Sequence, residues 1–279
     1  VLRRSDVEAA ATRIAGHIRR TPVAQLDAST WLKLEFLQHT GSFKARGAFN
    51  RILAAAESGE LPKAGVIAAS GGNAGLAVAY AARTVGVPAE VFVPETAPAV
   101  KVARLRALGA MVVQRGREYA EAYEAATKRA ADSGGLFCHA YDQLEICAGQ
   151  GTVALELVDQ IDGLNTVIVA VGGGGLMAGI AAAVGDRVRV VAVEPERIPT
   201  LHGALAAGGP VDVEVSGIAA DSLGARRVGT IAYDVAVRRD VRSVLVPDQA
   251  IIEARCWLWA EHRIVVEHGT ASAVAALAI

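Results

Sequence analysis

The sequence predicts an α/β protein made of two parallel-sheet lobes. Three observations carry this. Short β-rich runs alternate with helix-length stretches from about residue 65 onward. Hydrophobic residues make up 52% of the chain, yet 29 glycines are scattered among them, a composition that fits an Ala/Val-rich α/β enzyme and neither a disordered nor a fibrous chain. The 279 residues can bury one large core or two packed lobes.

Taken in order, "VLRRSDVEAAATRIAGHIRR" has no apolar core behind its arginines, so it reads as an amphipathic helix and not as a leader. "WLKLEF" alternates, which turns Lys33 away from the core. "FKARGAFN" opens a helix capped by Ser42 and preceded by Gly41. "GVIAAS", "AEVFVP", "AMVVQR" and "LFCHA" are strands separated by helices, and this rhythm requires right-handed crossovers and a parallel sheet. Residues 65–142 are therefore expected to form a small α/β domain, with 1–64 and 143–279 forming a large one.

The large domain continues with "GTVALELVDQI" as helix, "TVIVAV" as strand, "LMAGIAAAVG" as helix and "RVRVVAVEP" as strand. Residues 166–185 are uncharged and long enough to span a bilayer. Four consecutive glycines at their middle argue instead for a strand, a turn and a helix. Between 196 and 230 glycine and proline breakers accumulate, and loops of this kind often carry ligand contacts. "SVLVP" resumes a strand, Asp248 caps the helix "QAIIEARCWLWAEHR", "IVVE" is a strand and "TASAVAALAI" starts a last helix.

With 28 basic against 29 acidic residues, no charge excess recruits a nucleic acid or an anionic membrane, so the expected partner is a small molecule. The cysteines Cys138, Cys147 and Cys256 are too few for a disulfide framework or a four-ligand zinc site, and they fit a reduced, cytoplasmic setting. His139, His202, His262 and His268 show no ligand spacing, and Trp257 with Trp259 reads as core or subunit interface.

Only five lysines occur. Lys63, Lys101 and Lys128 fall on polar turns or helix faces. Lys44 stands apart because it sits in the first turn of a helix, where the macrodipole disfavours a cation. A desolvated lysine has a lowered pKa and becomes an amine nucleophile. "SGGNAG", residues 70–75, joins a strand to a helix, offering N–H groups to an anion and the Asn73 amide to a ligand. "VGGGGLMAG" does the same with four glycines, Gly172 to Gly175, whose close backbone approach suits a phosphate. Gly173, Gly175 and Ala178 also satisfy a dinucleotide pattern with Glu194 at the ribose position, so a dinucleotide-dependent oxidoreductase is the rival reading.

Together "KLEFLQHTGSFKARGAFN", "ASGGNAGLAVAYAARTVG", "GQGTVALEL" and "VGGGGLMAGIA" resemble, in order, the fold-type II (tryptophan synthase β-like) pyridoxal-phosphate enzymes, especially the threonine/serine dehydratase and serine racemase group. The likeness runs from about Thr21 to the end. It implies that the cofactor, pyridoxal 5'-phosphate, lies between the lobes. Lys44 then holds it as a Schiff base, Phe43 packs beside the ring, Asn73 bonds the ring hydroxyl and Gly172, Gly173, Gly174 and Gly175 bind the phosphate. Ser70, Gly71, Gly72 and Asn73 hold the substrate carboxylate, and Glu267 matches a family acid near the ring. The implied reaction is β-elimination from threonine or serine, giving a 2-oxo acid and ammonia, in a homodimer or homotetramer.

Departures from the family pattern qualify this. Gly71 replaces the serine that reprotonates the substrate in racemases, which disfavours racemisation and leaves a racemase or another β-eliminating lyase as alternatives. Ala74 replaces a histidine, and "ADSLGARR" differs from the usual loop near the substrate side chain. Glu194 resembles one ligand of a divalent-metal site in some relatives, but Thr200 stands where a second carboxylate belongs and only the Ile198 carbonyl remains as a donor. The sequence reaches Ile279 ahead of the family residue that faces the pyridine nitrogen and of the biosynthetic enzymes' regulatory domain. The expectation is therefore no feedback by isoleucine, with an inactive cofactor-binding protein as a further alternative.

Overall fold

The computed structural model describes residues 1–278. Along the chain come α1 (Arg4–Ile14), β1 (Val23–Gln25), β2 (Trp31–Lys33), α2 (Lys44–Glu57), β3 (Val66–Ala69), α3 (Asn73–Val85), β4 (Ala89–Val93), α4 (Ala99–Ala107), β5 (Met111–Gln114), α5 (Tyr119–Ser133), β6 (Leu136–Phe137) and α6 (Leu144–Gln160). There follow β7 (Thr166–Ala170), α7 (Gly175–Val184), β8 (Arg189–Pro195), α8 (Thr200–Ala207), α9 (Ala220–Leu223), α10 (Thr230–Arg238), β9 (Arg242–Val246), α11 (Asp248–His262) and α12 (His268–Ala275). Ile279, the end of the expected last helix, lies outside the described residues.

Two parallel sheets carry the architecture, in the orders β5-β4-β3-β6 and β7-β8-β9. In β3 and β4 every residue is buried, as expected of strands covered by helices on both faces. Glu90, within β4, is matched by a two-pronged Arg129, at 2.9 and 2.7 Å.

Contacts group the chain into two units, one of Val1–Glu8, Pro22–Lys33 and Gly151–Ile279, the other of Ala9–Thr21 and Leu34–Gln150. This grouping differs from the division at residues 64 and 142, because α2 shares a core with the first sheet. Phe49 and Ile52 of α2 pack with Leu76 and Val78 of α3 and with Val66 and Val91. The other unit has its own core around Val193, Val246, Ile251, Leu258 and Val274.

Several local expectations are corrected. Lys33 does not point into solvent: its Nζ donates to Glu156 (2.5 Å) and to Gln160 Oε1 (2.8 Å) on α6 in a nearly dry pair. β2 and its antiparallel partner β1 form a small hairpin that the alternation only half reveals. "IVVE" forms no strand, because its backbone is used by α11: Ile264 donates to the Leu258 carbonyl (3.1 Å), and Arg255 Nε donates to that of Val266 (2.9 Å). Asp248 is the first residue of α11 and not its cap, and its carboxylate accepts from Ile218 N at 3.4 Å. Residues 166–185 divide into β7, a turn and α7, and no described helix is long and apolar enough to cross a membrane.

Candidate active site

Close helix packing puts Lys44 in place. A Cβ on Gly149 would stand 2.5 Å from the Arg46 carbonyl oxygen, and one on Gly47 would stand 2.8 Å from that of Ile146, so α2 and α6 meet backbone to backbone. Arg46, fully buried, is gripped by Glu35 at 2.8 and 2.7 Å. Asn50 donates to the Glu145 carbonyl at 2.7 Å. Ser42 does not cap the helix as expected. The chain enters α2 through Phe43, already helical at φ −56° and ψ −15°, which leaves the buried Ser42 hydroxyl without a partner.

From this rigid turn Lys44 Nζ donates to the Ala140 carbonyl (2.8 Å) and lies 5.2 Å from the centre of the Phe43 ring. Desolvation pushes its pKa down to about 8, against a weak opposing pull from Cys147. The neighbouring His139 and Cys147 side chains are neutral. Burial holds His139 down at about 4, so its Nδ1 accepts from the N–H groups of Tyr141 and Asp142, and burial pushes the Cys147 thiol up to about 12.

Ser70 to Asn73 leave the carboxyl end of β3 and lead into α3, the edge at which open α/β sheets bind ligands. Ser70 Oγ accepts from Gly72 N at 3.2 Å. Gly75 is the residue the turn cannot replace, since a Cβ there would sit 1.9 Å from the Ser70 carbonyl oxygen. Gly71 and Gly72 are not forced by packing. A Cβ on Gly71 would meet only Val93 Cγ1 at 3.5 Å, and one on Gly72 nothing within 4 Å.

Gly172 to Gly175 belong to the other unit, where they join β7 to α7. Their carbonyls are tied down: Gly172 O accepts from Thr200 Oγ1 (2.6 Å), Gly173 O from Gly229 N (3.0 Å) and Gly174 O from Ala178 N (2.9 Å). Their N–H groups donate to none of the described backbone carbonyls and stand at the start of α7, a ready anion cradle. Gly174 is in the left-handed region at φ +85°, and a Cβ on it would press to 2.5 Å from the Ala232 methyl.

Glu194 is engaged by backbone donors. It is fully buried, and its two oxygens accept from the N–H groups of Leu201 (2.7 Å) and His202 (2.8 Å). No cluster of three or more potential His, Cys, Asp or Glu metal ligands occurs among the described residues. Glu267 is exposed at the start of α12, and Trp257 and Trp259 are too exposed on α11 to be core. Sequence reasoning passes over Thr200 as a failed ligand and gives Gly75 no role of its own. A glycine five residues beyond a strand-ending serine is the available signal for Gly75.

One unit thus carries a desolvated amine, and the other carries a glycine turn whose N–H groups donate to no described backbone carbonyl. The chain belongs to the pyridoxal-phosphate dependent enzyme family, whose model matches residues 14–279. That family excludes the dinucleotide reading. The chain is 36% identical over 250 residues to an L-threonine ammonia-lyase of Thermotoga maritima, covering 88% of this chain and 62% of that relative, so it spans under two thirds of the relative's length. Its fold superimposes on a threonine deaminase from T.th. with a TM-score of 0.90 at 36% identity, covering 99% of this chain and 92% of the other. Maize serine racemase gives 0.91 at 31% identity, with 99% and 86% covered. The donors present fit pyridoxal phosphate, with an amine for its aldehyde and orphan N–H groups for its phosphate.

Proposed function

We propose that this protein is a pyridoxal-phosphate-dependent ammonia-lyase that converts a small β-hydroxy amino acid, threonine or serine, to a 2-oxo acid and ammonia. The observation that carries it is the Lys44 amine, desolvated to a pKa of about 8 and presented from the first turn of α2. Relatives named for threonine ammonia-lyase or dehydratase activity, at 34 to 36% identity, support the substrate class. When bound, pyridoxal phosphate supplies a conjugated system that accepts the electrons left on the substrate α-carbon.

The residues take the following roles. Lys44 Nζ would hold the cofactor through its aldehyde carbon, and the same amine is the group placed to take the α-proton. A lysine of pKa about 8 is neutral in about one molecule in ten at pH 7, against roughly one in three thousand for an ordinary lysine. Gly172 to Gly175 grip the phosphate. Ser70, Gly71, Gly72 and Asn73, at the start of α3, hold the substrate carboxylate, Asn73 and Phe43 attend the ring, and Glu267 is its nearby acid. The β-hydroxyl leaves with a proton as water, and the released enamine hydrolyses to the oxo acid and ammonia. The reading further takes the protein as cytoplasmic and as a homodimer or homotetramer, in keeping with three free cysteines and the exposed Trp257 and Trp259.

Racemisation is the second reading, favoured by the likeness to maize serine racemase and opposed by Gly71, which has no side chain to deliver a proton to the opposite face. Purified protein should absorb visible light with pyridoxal phosphate, and borohydride should fix the label only when Lys44 is present. Oxo-acid release from a panel of hydroxy amino acids then identifies the lyase. No release from any of them, with D-amino acid formed instead, would sink it. Since a Cβ on Gly71 would make only ordinary contact with Val93, at 3.5 Å, Gly71→Ser should fold normally and add D-serine formation, read by chiral chromatography.

A further inference from the structure

Glu194 and Thr200, which the reading above leaves without a role, form a chain of buried groups that ends on Gly172. Glu194 and Thr200 are both completely buried. The carboxylate of Glu194 is occupied by the Leu201 and His202 N–H groups, and Thr200 Oγ1 stands 3.0 Å from Glu194 Oε1 and 2.6 Å from the Gly172 carbonyl oxygen. A hydroxyl carries one proton. Directed along the shorter contact, it holds the Gly172 carbonyl, and the longer contact sets the Thr200 hydroxyl against Glu194.

The Gly172 carbonyl matters because the peptide group is planar and trans. Its oxygen and the N–H of Gly173 point in opposite directions, so fixing one aims the other. Gly173 and Gly174 have their carbonyls held by backbone N–H groups, whereas Gly172 relies on a side chain. A divalent cation at Glu194 would need several oxygens and more negative charge. The carboxylate is already committed to N–H donors, and Thr200 brings a neutral oxygen.

We propose that Thr200 is a positioning residue: backed by Glu194, its hydroxyl aims the Gly173 N–H into the phosphate cradle, and it does so without a divalent cation. The proposal rests on the tetrad being that cradle. Thr200→Val keeps the shape and removes the hydroxyl, and Thr200→Ser restores it. In cofactor-free protein, hydrogen exchange of the 172–175 amides should speed up about tenfold in Thr200→Val and stay within about twofold of wild type in Thr200→Ser. Titration with pyridoxal phosphate should show Kd raised about tenfold in Thr200→Val, kcat at saturating cofactor nearly unchanged, and recovery in Thr200→Ser. EDTA should leave the wild-type Kd unaltered.

Wild-type exchange and affinity in Thr200→Val would overturn the proposal, as would a loss of wild-type affinity in EDTA that Mg²⁺ or Ca²⁺ restores. The EDTA arm needs no variant to fold. If wild-type protein binds no pyridoxal phosphate, the functional reading fails by itself, and the exchange arm still decides whether Thr200 holds the loop.

Discussion

The neighbourhood of Lys44 and the neighbourhood of the glycine tetrad treat buried polar groups in opposite ways. Around the tetrad three successive carbonyls are bonded, and the buried Glu194 is fully committed. Around Lys44, in contrast, Thr40 Oγ1, Ser42 Oγ and both amide atoms of Gln150 are buried without a partner, and the amine itself is desolvated. Each orphaned group costs roughly 1 to 3 kcal/mol, so the Lys44 side carries its penalty on side chains, whereas on the tetrad side the unpaired groups are backbone N–H. The tetrad side is finished in advance and suits a grip that stays constant. The amine's side keeps its groups uncommitted, as a place must where partners change during a reaction.

The sharpest way to break this contrast is Lys44→Ala. It should lower oxo-acid release about a thousandfold or more, since it removes both the holding amine and the base, while thermal melting of the cofactor-free protein stays level or rises. Next come the two glycines that no packing can spare. Gly75→Ala and Gly174→Ala should each destabilise by about 3 kcal/mol or more in urea titration, because a methyl would overlap the Ser70 carbonyl oxygen or the Ala232 methyl.

A smaller effect concerns pH. Because only the neutral amine attacks an aldehyde, capture of pyridoxal phosphate by cofactor-free protein should speed up about tenfold per pH unit and level off near 8, where an ordinary lysine keeps rising past 10. Between about 8 and 9 the unfolded chain holds a proton on this lysine that the folded chain lacks, so stability should rise with pH there; above 9 the Cys138 and Cys147 thiols, pushed up to about 12 by burial, act in the opposite direction. The rise between 8 and 9 should be lost in Lys44→Ala. The smallest change is Ser42→Ala, which deletes an orphaned hydroxyl and should be neutral or stabilising by up to about 1 kcal/mol in the same titration.

Much of the fold is legible in the sequence. The seven parallel strands announce themselves as short apolar runs between helices, and the tetrad announces a turn because four glycines in a row have no other economical use. What stays hidden depends on contacts between residues far apart in sequence. Lys33 looks like an outward residue in an alternating strand until Glu156 and Gln160, more than a hundred positions later, close over it. "IVVE" has the composition of a strand, but α11 takes up its backbone groups first. The sequence says of Thr200 only what it cannot ligate, and its 2.6 Å contact with Gly172 shows what it does instead. The unfavourable place of Lys44 at a helix start singles it out, but its lowered basicity comes from burial, which no local pattern records.

The stretch from Thr200 to Gly229, which carries α8 and α9, has a consequence for anyone redesigning this protein. Its two ends are pinned to neighbouring peptide groups, Thr200 to Gly172 and Gly229 to Gly173. The stretch thus hangs like a handle bolted at both feet, and variation confined to residues 208–216 leaves the bolts in place. A library built there would not first have to rebuild the anchorage.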